Sequence, residues 1–363
     1  MSRALQDRAP ASAPVLVPDG IAGIDAAWLT SALASVESGL VVHDARLLES
    51  LGGACTKLRV ALRTNRDDFP PTVIVKGCFE PHGKGMIGLQ IAEANYYKWL
   101  IPELDVPTVH CFFAQGDPEA GAALIMEDLD LRGVQCLRAT DPMGYELALA
   151  FLDVLARLHA RWWDDPALAD DGELSWVPGP DTPGLPNHIA LLSDLERTAQ
   201  RVALPRGSAV SRMFHDGERL VRAFRAMWTN PQKLPHALIH GDPHLANLYV
   251  DRVGGPGLLD WTCRRAPWAL DIAYFIVGNL DIADRRHWEV PLLQHYLAKL
   301  AELGIAAPGF DEAWLAYRRW MTWGLCVWLV NRTDYHSESA ITAAAARFGA
   351  AMIDHDSYGA LGV

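Results

Sequence analysis

Three oxygen-bearing side chains, Asp242, Asn247 and Asp260, bracket an apolar hairpin pattern in the segment HGDPHLANLYVDRVGGPGLLDW, which runs from His240 to Trp261. The runs NLYVD and GLLDW flank RVGGP, whose glycines and proline supply turn dihedrals, so the segment reads as two antiparallel strands. In such a hairpin the residue entering the first strand lies beside the residue leaving the second, which makes Asn247 and Asp260 expected neighbours. Asp242 precedes Asn247 by five positions, close enough for one tight loop to aim all three at a common point. Two converging carboxylates repel unless a cation lies between them or one holds a proton. Magnesium suits the pattern, because it takes hard oxygen ligands, often only one or two carboxylates, and leaves other positions for phosphate and water. Phosphoryl transfer needs such a constellation, since most of its catalysis is positioning and charge neutralisation. On this reading Asp242 accepts the proton of the attacking hydroxyl, or orients it, and Asn247 and Asp260 hold magnesium against nucleotide phosphates. The bland alternative is an Asx-capped loop followed by a strand-end acid.

The elements that must position these residues fall into two groups. At 363 residues the chain exceeds the usual size of one domain, so two lobes, each with its own core, are expected. Residues 1–20 are rich in Ala and Pro without periodicity and read as a mobile tail. Between Ala45 and Lys76 two strand-like runs, ARLLESLGGACTKLRVALRT and PTVIVKG, are separated by a polar, proline-containing turn. A helical pattern, GMIGLQIAEANYYKWLIPEL, and a further strand pair, VHCFFAQ and AALIMEDL, complete the first third, giving several strands and one helix. Beyond them, YELALAFLDVLARLHARWW, VSRMFHDGERLVRAFRAMW and the region after Asp271 carry helical apolar spacing, so the second lobe is mainly helical apart from the quoted hairpin.

HGDPHLAN followed by LLDW resembles the catalytic loop and metal-binding strand of the aminoglycoside phosphotransferase and choline kinase family, relatives of protein kinases that phosphorylate small molecules. The resemblance implies that Asp242 is the catalytic aspartate and that Asn247 and Asp260 are the metal-binding pair. Pro243 is less typical of the loop. In the first lobe VIVK resembles the strand carrying the nucleotide lysine, making Lys76 the partner of the alpha and beta phosphates, and AEANYYKWL resembles the helix whose glutamate, Glu93, holds that lysine. ALIMEDLDLRG is similar to the hinge, with backbone groups of Glu127 and Leu129 facing adenine. MEDL together with LHARWW resembles the ecdysteroid-kinase-like (CHK-like) branch. The implied fold is α+β and protein-kinase-like. A small antiparallel-sheet N-lobe with one helix is expected over residues 21–129 and a larger, mainly helical C-lobe over residues 130–363, with nucleotide in the cleft. The implied reaction moves the ATP gamma-phosphoryl group to a hydroxyl of a small molecule, with ATP and Mg2+ as cofactors. Asp260 to Asp271 spans eleven positions, little room for the long activation loop that a protein substrate calls for.

Neighbouring residues divide between roles. His240 is expected to bond the loop backbone, whereas His244 either contacts a terminal phosphate or caps the loop. Asp271 is expected to fix the catalytic loop through backbone bonds. Leu51 to Leu58, LGGACTKL, could cover phosphates through backbone amides or be a plain strand turn. PHGKG around Lys84 has the wrong spacing for a phosphate loop, and Gly85 stands where Ser or Thr would bind magnesium. Trp314, Tyr317, Trp320, Trp323 and Trp328 form a late aromatic stretch that either packs a helical core or lines an acceptor pocket.

Composition narrows the partners. The formal charge of -12, without a run of Lys and Arg, disfavours nucleic acid. Six scattered cysteines, no CxxC pair and no signal peptide point to a reducing cytoplasm. WMTWGLCVWLV, with 11 apolar or small residues, falls well short of the about 20 needed to span a bilayer. Two rival functions stand beside the kinase reading. One is a metal-dependent hydrolase using His240, Asp242 and His244, although Gly241 and Pro243 make a helical metal pair there improbable. The other is a nucleotide-binding module that has lost its chemistry.

Overall fold

The computed structural model describes residues 14–53, 55–179, 188–229 and 234–363, and within them the chain divides into two compact units. The first is built from residues up to Leu104, Thr108–Gln135 and Leu259–Thr262, and the second from the rest. The expected change from sheet to helix is therefore present, with one difference from the expected bounds. A short return of chain, Leu259–Thr262, carries Asp260 into the sheet-bearing unit.

Beyond the expected elements, the described residues of the first unit form a helix ahead of the sheet and an additional strand. Helix α1 (Ala26–Ala34) is capped by Asp25, whose carboxylate accepts from the Trp28 amide, and it buries Trp28, Leu29, Ala32 and Leu33. That spacing is helical, and it lies in the stretch before the first expected strand. The run expected to be one strand is two, β1 (Val42–Leu51) and β2 (Thr56–Thr64), because Gly52 and Gly53 turn the chain between them. Strands β3 (Thr72–Gly77), β4 (Cys111–Asp117) and β5 (Gly121–Glu127) complete an antiparallel sheet of order β1-β2-β3-β5-β4. Leu58, Val60, Val73, Val75 and Ile125 turn one face of this sheet toward Trp28, Leu29 and Leu33. Alternation then sends Lys76 to the opposite face, where helix α2 (Ile87–Trp99) packs on β4 and β5 and presents Glu93. The end of the tail is tied to the sheet by Val17, whose amide donates to Ala120 O at 2.8 Å, while residues 1–13 lie outside the described residues.

In the second unit the eleven residues of α3 (Ala269–Asn279) are all buried, so this helix is apolar on every side and serves as the centre of the lobe. Around it lie α4 (Tyr145–Ala160), α5 (Ile282–Glu302), α6 (Phe310–Val330) and α7 (Glu338–Asp354). Two small ladders lie in the same unit. β6 (His236–Ile239) pairs with β9 (Arg264–Pro267), and β7 (Leu248–Val250) pairs with β8 (Pro256–Leu258). The loop of residues 240–247 thus leaves one ladder and enters the other. Among the described residues no helix is long and apolar enough to cross a membrane.

Most of the late aromatic stretch packs between helices. Trp228 meets Trp320 and Trp323 edge-on at 4.8 and 5.8 Å, and Trp314 stacks on Tyr317 at 5.3 Å. Two helices meet closely at Gly324, where a Cβ would stand 2.1 Å from the ring of Phe348, itself fully buried. Gly324→Leu is expected to lower the unfolding free energy by about 2 kcal/mol or more through overpacking. That loss outweighs the about 1 kcal/mol that a better helix former would add. Urea unfolding of the two proteins measures the difference.

Candidate active site

The loop of residues 240–247 is tied down from beneath by α3. The Asp271 carboxylate, wholly buried, accepts from the backbone amides of His240 at 2.7 Å and Gly241 at 2.9 Å. Two successive amides can converge on one acid because Gly241 adopts φ 90°, a left-handed conformation that a side chain would oppose. His159 adds a third bond to Asp271 at 3.2 Å through Nε2, and its Nδ1 meets the Tyr296 hydroxyl at 2.8 Å. Burial keeps the Tyr296 phenol protonated, so it donates to Nδ1, leaving the Nε2 proton for Asp271. At the other end of α3, Asn279 Nδ2 donates to the Pro243 carbonyl at 2.9 Å. Asp271 therefore does what the sequence suggested. Asn279 and His159 carried no comparable signal, because each acts across the fold.

Asp242 projects from this braced loop. Burial alone would raise the pKa of its carboxyl, but the imidazoles of His244 and His336 and the Tyr274 hydroxyl hold it below the ordinary carboxylate range. Tyr274 lies three residues after Asp271 on α3, so one face of that helix serves both the loop backbone and the catalytic candidate. Asn247 spends its amide nitrogen on Asp242, donating to the backbone carbonyl at 2.9 Å and to Oδ2 at 3.2 Å. This orientation leaves Oδ1, a hard oxygen, as the atom able to ligate a cation.

Both histidines of the loop are committed locally. His240 Nδ1 accepts from the Asp242 amide at 3.3 Å. His244 Nδ1 accepts from the Ala246 amide at 3.2 Å, and its Nε2 stands 3.4 Å from Asp242 Oδ2. His244 thus caps the loop through Nδ1 and brings Nε2 to Asp242. Among the described residues no group of three His, Cys, Asp or Glu that could hold a metal ion occurs. The ring of His244 stands 5.4 Å from Trp328 and 5.2 Å from His336. Trp328 is thus the member of the late aromatic stretch that reaches the loop.

In the first unit Lys76 Nζ donates to Glu93 Oε1 at 2.7 Å and to Asp260 Oδ1 at 2.8 Å. Burial would by itself drive the lysine toward neutrality, and the two carboxylates more than reverse this, keeping it protonated. Burial also raises Glu93 above its ordinary range against the pull of Lys76. Asp260 shows the opposite balance. Its partial burial is overcome by Lys57 and Lys76, which hold it far below the usual carboxylate range. Lys57, which the sequence reading passed over, donates to Asp260 Oδ2 at 2.7 Å.

The hairpin ladder ends at the Leu248 and Leu258 pair, so Asp260 is not a strand residue. It follows two positions later with φ 50°, and the next residue, Trp261, is buried in the first unit with its indole donating to Thr108 Oγ1 at 2.9 Å. Left-handed backbone at an aspartate is uncommon and persists only where the surroundings fix it. Strand alternation does not foresee such a break, and the candidate residues fall in two groups. Lys76, Glu93 and Asp260 come together in one unit, and Asp242, His244 and Asn247 in the other.

At the expected hinge, the Glu127 amide donates to the His110 carbonyl at 2.9 Å, and the Leu129 carbonyl accepts from Val134 at 3.3 Å. Leu129 opens a short helix, Leu129–Arg132. Lys84 turns away from phosphate chemistry, donating to the Asp19 carbonyl at 3.0 Å from a 3₁₀ segment, Pro81–Met86.

No curated protein matches the sequence closely enough to guide the reading. Two solved choline kinases share the fold. The first is LicA from Streptococcus pneumoniae, with TM-score 0.50 and 13% identity over 88% of this chain and 97% of that one. The second is the choline kinase from Cryptosporidium parvum Iowa II, with TM-score 0.51 and 12% identity over 90% of this chain and 92% of that one. The two-lobed α+β fold inferred from the sequence is the fold of these kinases. The sequence model of the phosphotransferase enzyme family, APH, matches residues 90–308, more than half of the chain, and the protein belongs to that family.

Proposed function

We propose that this protein transfers the gamma-phosphoryl group of ATP to a hydroxyl of a small molecule. The observation that carries the reading is the buried pair of Lys76 and Glu93, 2.7 Å apart. Desolvating two charges costs several kcal/mol, and an apolar pair would serve stability as well. A lysine kept charged in such a place has a use for its charge, and phosphate is the ligand that family membership suggests.

Each residue then has a role that follows from its surroundings. Lys76 grips the alpha and beta phosphates, and Glu93 fixes its position. Asn247 Oδ1 and Asp260 are proposed as the magnesium-holding atoms. Both are hard oxygen donors, and with only one carboxylate between them they suit an ion that keeps water and phosphate in its remaining positions. Magnesium, when bound, neutralises charge on the transferring phosphoryl group. The amide of Leu129, at a helix start where no intrahelical partner exists, is proposed to face adenine together with the Glu127 backbone.

Asp242 is proposed to meet the acceptor hydroxyl. Its depressed pKa makes it a weak base in the ground state, which favours orienting the hydroxyl and accepting its proton late, as the oxygen becomes bonded to phosphorus. His244, Tyr274 and Asn247 all touch this carboxylate and so keep it ionised and aimed.

A library of small hydroxyl compounds, screened for ATP consumption, tests the reading. Asp242→Asn is expected to reduce acceptor-dependent turnover by about 10²–10⁴-fold while leaving nucleotide binding intact. Undiminished turnover in that variant contradicts the role of Asp242, and nucleotide binding without turnover on any compound supports a module that has lost its chemistry. Metal removal gives a second check. Chelation should abolish turnover, magnesium should restore it, and Asn247→Ala should raise the magnesium needed for half-restoration by about tenfold or more.

A further inference from the structure

We propose that Lys57 is a second phosphate-binding lysine of the nucleotide site. The inference rests on the phosphotransferase reading and extends it to a residue outside the motifs. In the antiparallel ladder of β2 and β3, Lys57 stands directly opposite Lys76. Like charges in that register are destabilising. The sheet accommodates them because Asp260 bridges the pair, one carboxylate oxygen to each ammonium.

The two lysines are not equivalent. Lys76 is 6% exposed and keeps Glu93 as a second partner, whereas the Lys57 side chain is 25% exposed, and Asp260 is the carboxylate it pairs with among the described residues. When Asp260 turns its oxygens to a metal ion, Lys76 therefore retains a counter-charge and Lys57 needs a new one. Its position indicates which. A Cβ on Gly53, in the turn between β1 and β2, would stand 3.6 Å from Lys57 Nζ. The ammonium thus lies against the backbone of Gly53, which has no side chain to keep a phosphate from it. A lysine on a flexible stem binds phosphate as a point charge and can move from carboxylate to phosphate by rotating its own torsions. In the bridged arrangement two ammonium and two carboxylate groups balance.

Calorimetric titration of the full chain with ADP and with adenosine, at saturating magnesium, tests the proposal. Lys57→Gln should weaken ADP binding by about 10–100-fold, the range of a charge-assisted hydrogen bond. Adenosine binding should stay unchanged, and Lys57→Arg should restore most of the loss. Equal affinity for ADP in wild type and Lys57→Gln, or equal losses for ADP and adenosine, would overturn the assignment. In the wild-type chain, ADP with magnesium should slow acylation of Lys57 by an amine-reactive ester, read by mass spectrometry, and adenosine should not. Unchanged labelling overturns the proposal even where the variant fails to fold. Absence of ADP binding by the wild type is a different failure, since it removes the phosphotransferase reading and this inference with it.

Discussion

The loop that carries Asp242 and Asn247 hangs on one buried carboxylate. Asp271 receives two consecutive backbone amides and an imidazole, and the imidazole is in turn set by the Tyr296 hydroxyl. A buried acid stripped of such partners would cost several kcal/mol, so its presence in the apolar helix Ala269–Asn279 is tolerable only while the loop keeps its shape. The dependence runs both ways. The loop cannot drift without leaving Asp271 unpaired, and this coupling converts the stability of the helical core into the aim of a side chain on its surface.

The same helix delivers Tyr274 to Asp242 and Asn279 to Pro243, so three of its residues act on a loop of a few positions. Precision of this kind suits phosphoryl transfer, in which the protein contributes position and charge rather than a covalent bond. In the sheet-bearing unit the logic is electrostatic. Lys57, Lys76, Glu93 and Asp260 form a balanced set in which every member offsets another. Under the proposed function, a metal ion drawing on Asp260 would disturb this balance and favour an anion beside the two lysines.

Residue type and spacing made some of this legible and topology hid the rest. Asp242, Asn247 and Asp260 stood out because chemistry at a loop end needs specific atoms, and turn glycines betrayed the hairpin. Lys76 and Glu93 could be paired because VIVK and AEANYYKWL resemble the lysine strand and the glutamate helix of the family. The extra strand was missed because one apolar run hides a two-glycine turn, and helix Ala26–Ala34 because its four buried residues precede the first obvious strand. Lys57 was readable in principle, once Lys76 was assigned and the register of the two strands was known. His159, His336 and Asn279 were not, since nothing in a local window shows which distant loop a side chain will meet.

The account stands or falls on where the terminal phosphate of ATP goes. ATP labelled with heavy oxygen in its gamma-phosphoryl group, incubated with the wild-type chain, magnesium and an acceptor, followed by mass spectrometry of the products, measures this directly. The labelled phosphoryl group is expected as an ester on the acceptor hydroxyl, in proportion to the ADP formed. Label found only in inorganic phosphate, whatever hydroxyl compound is offered, would contradict it.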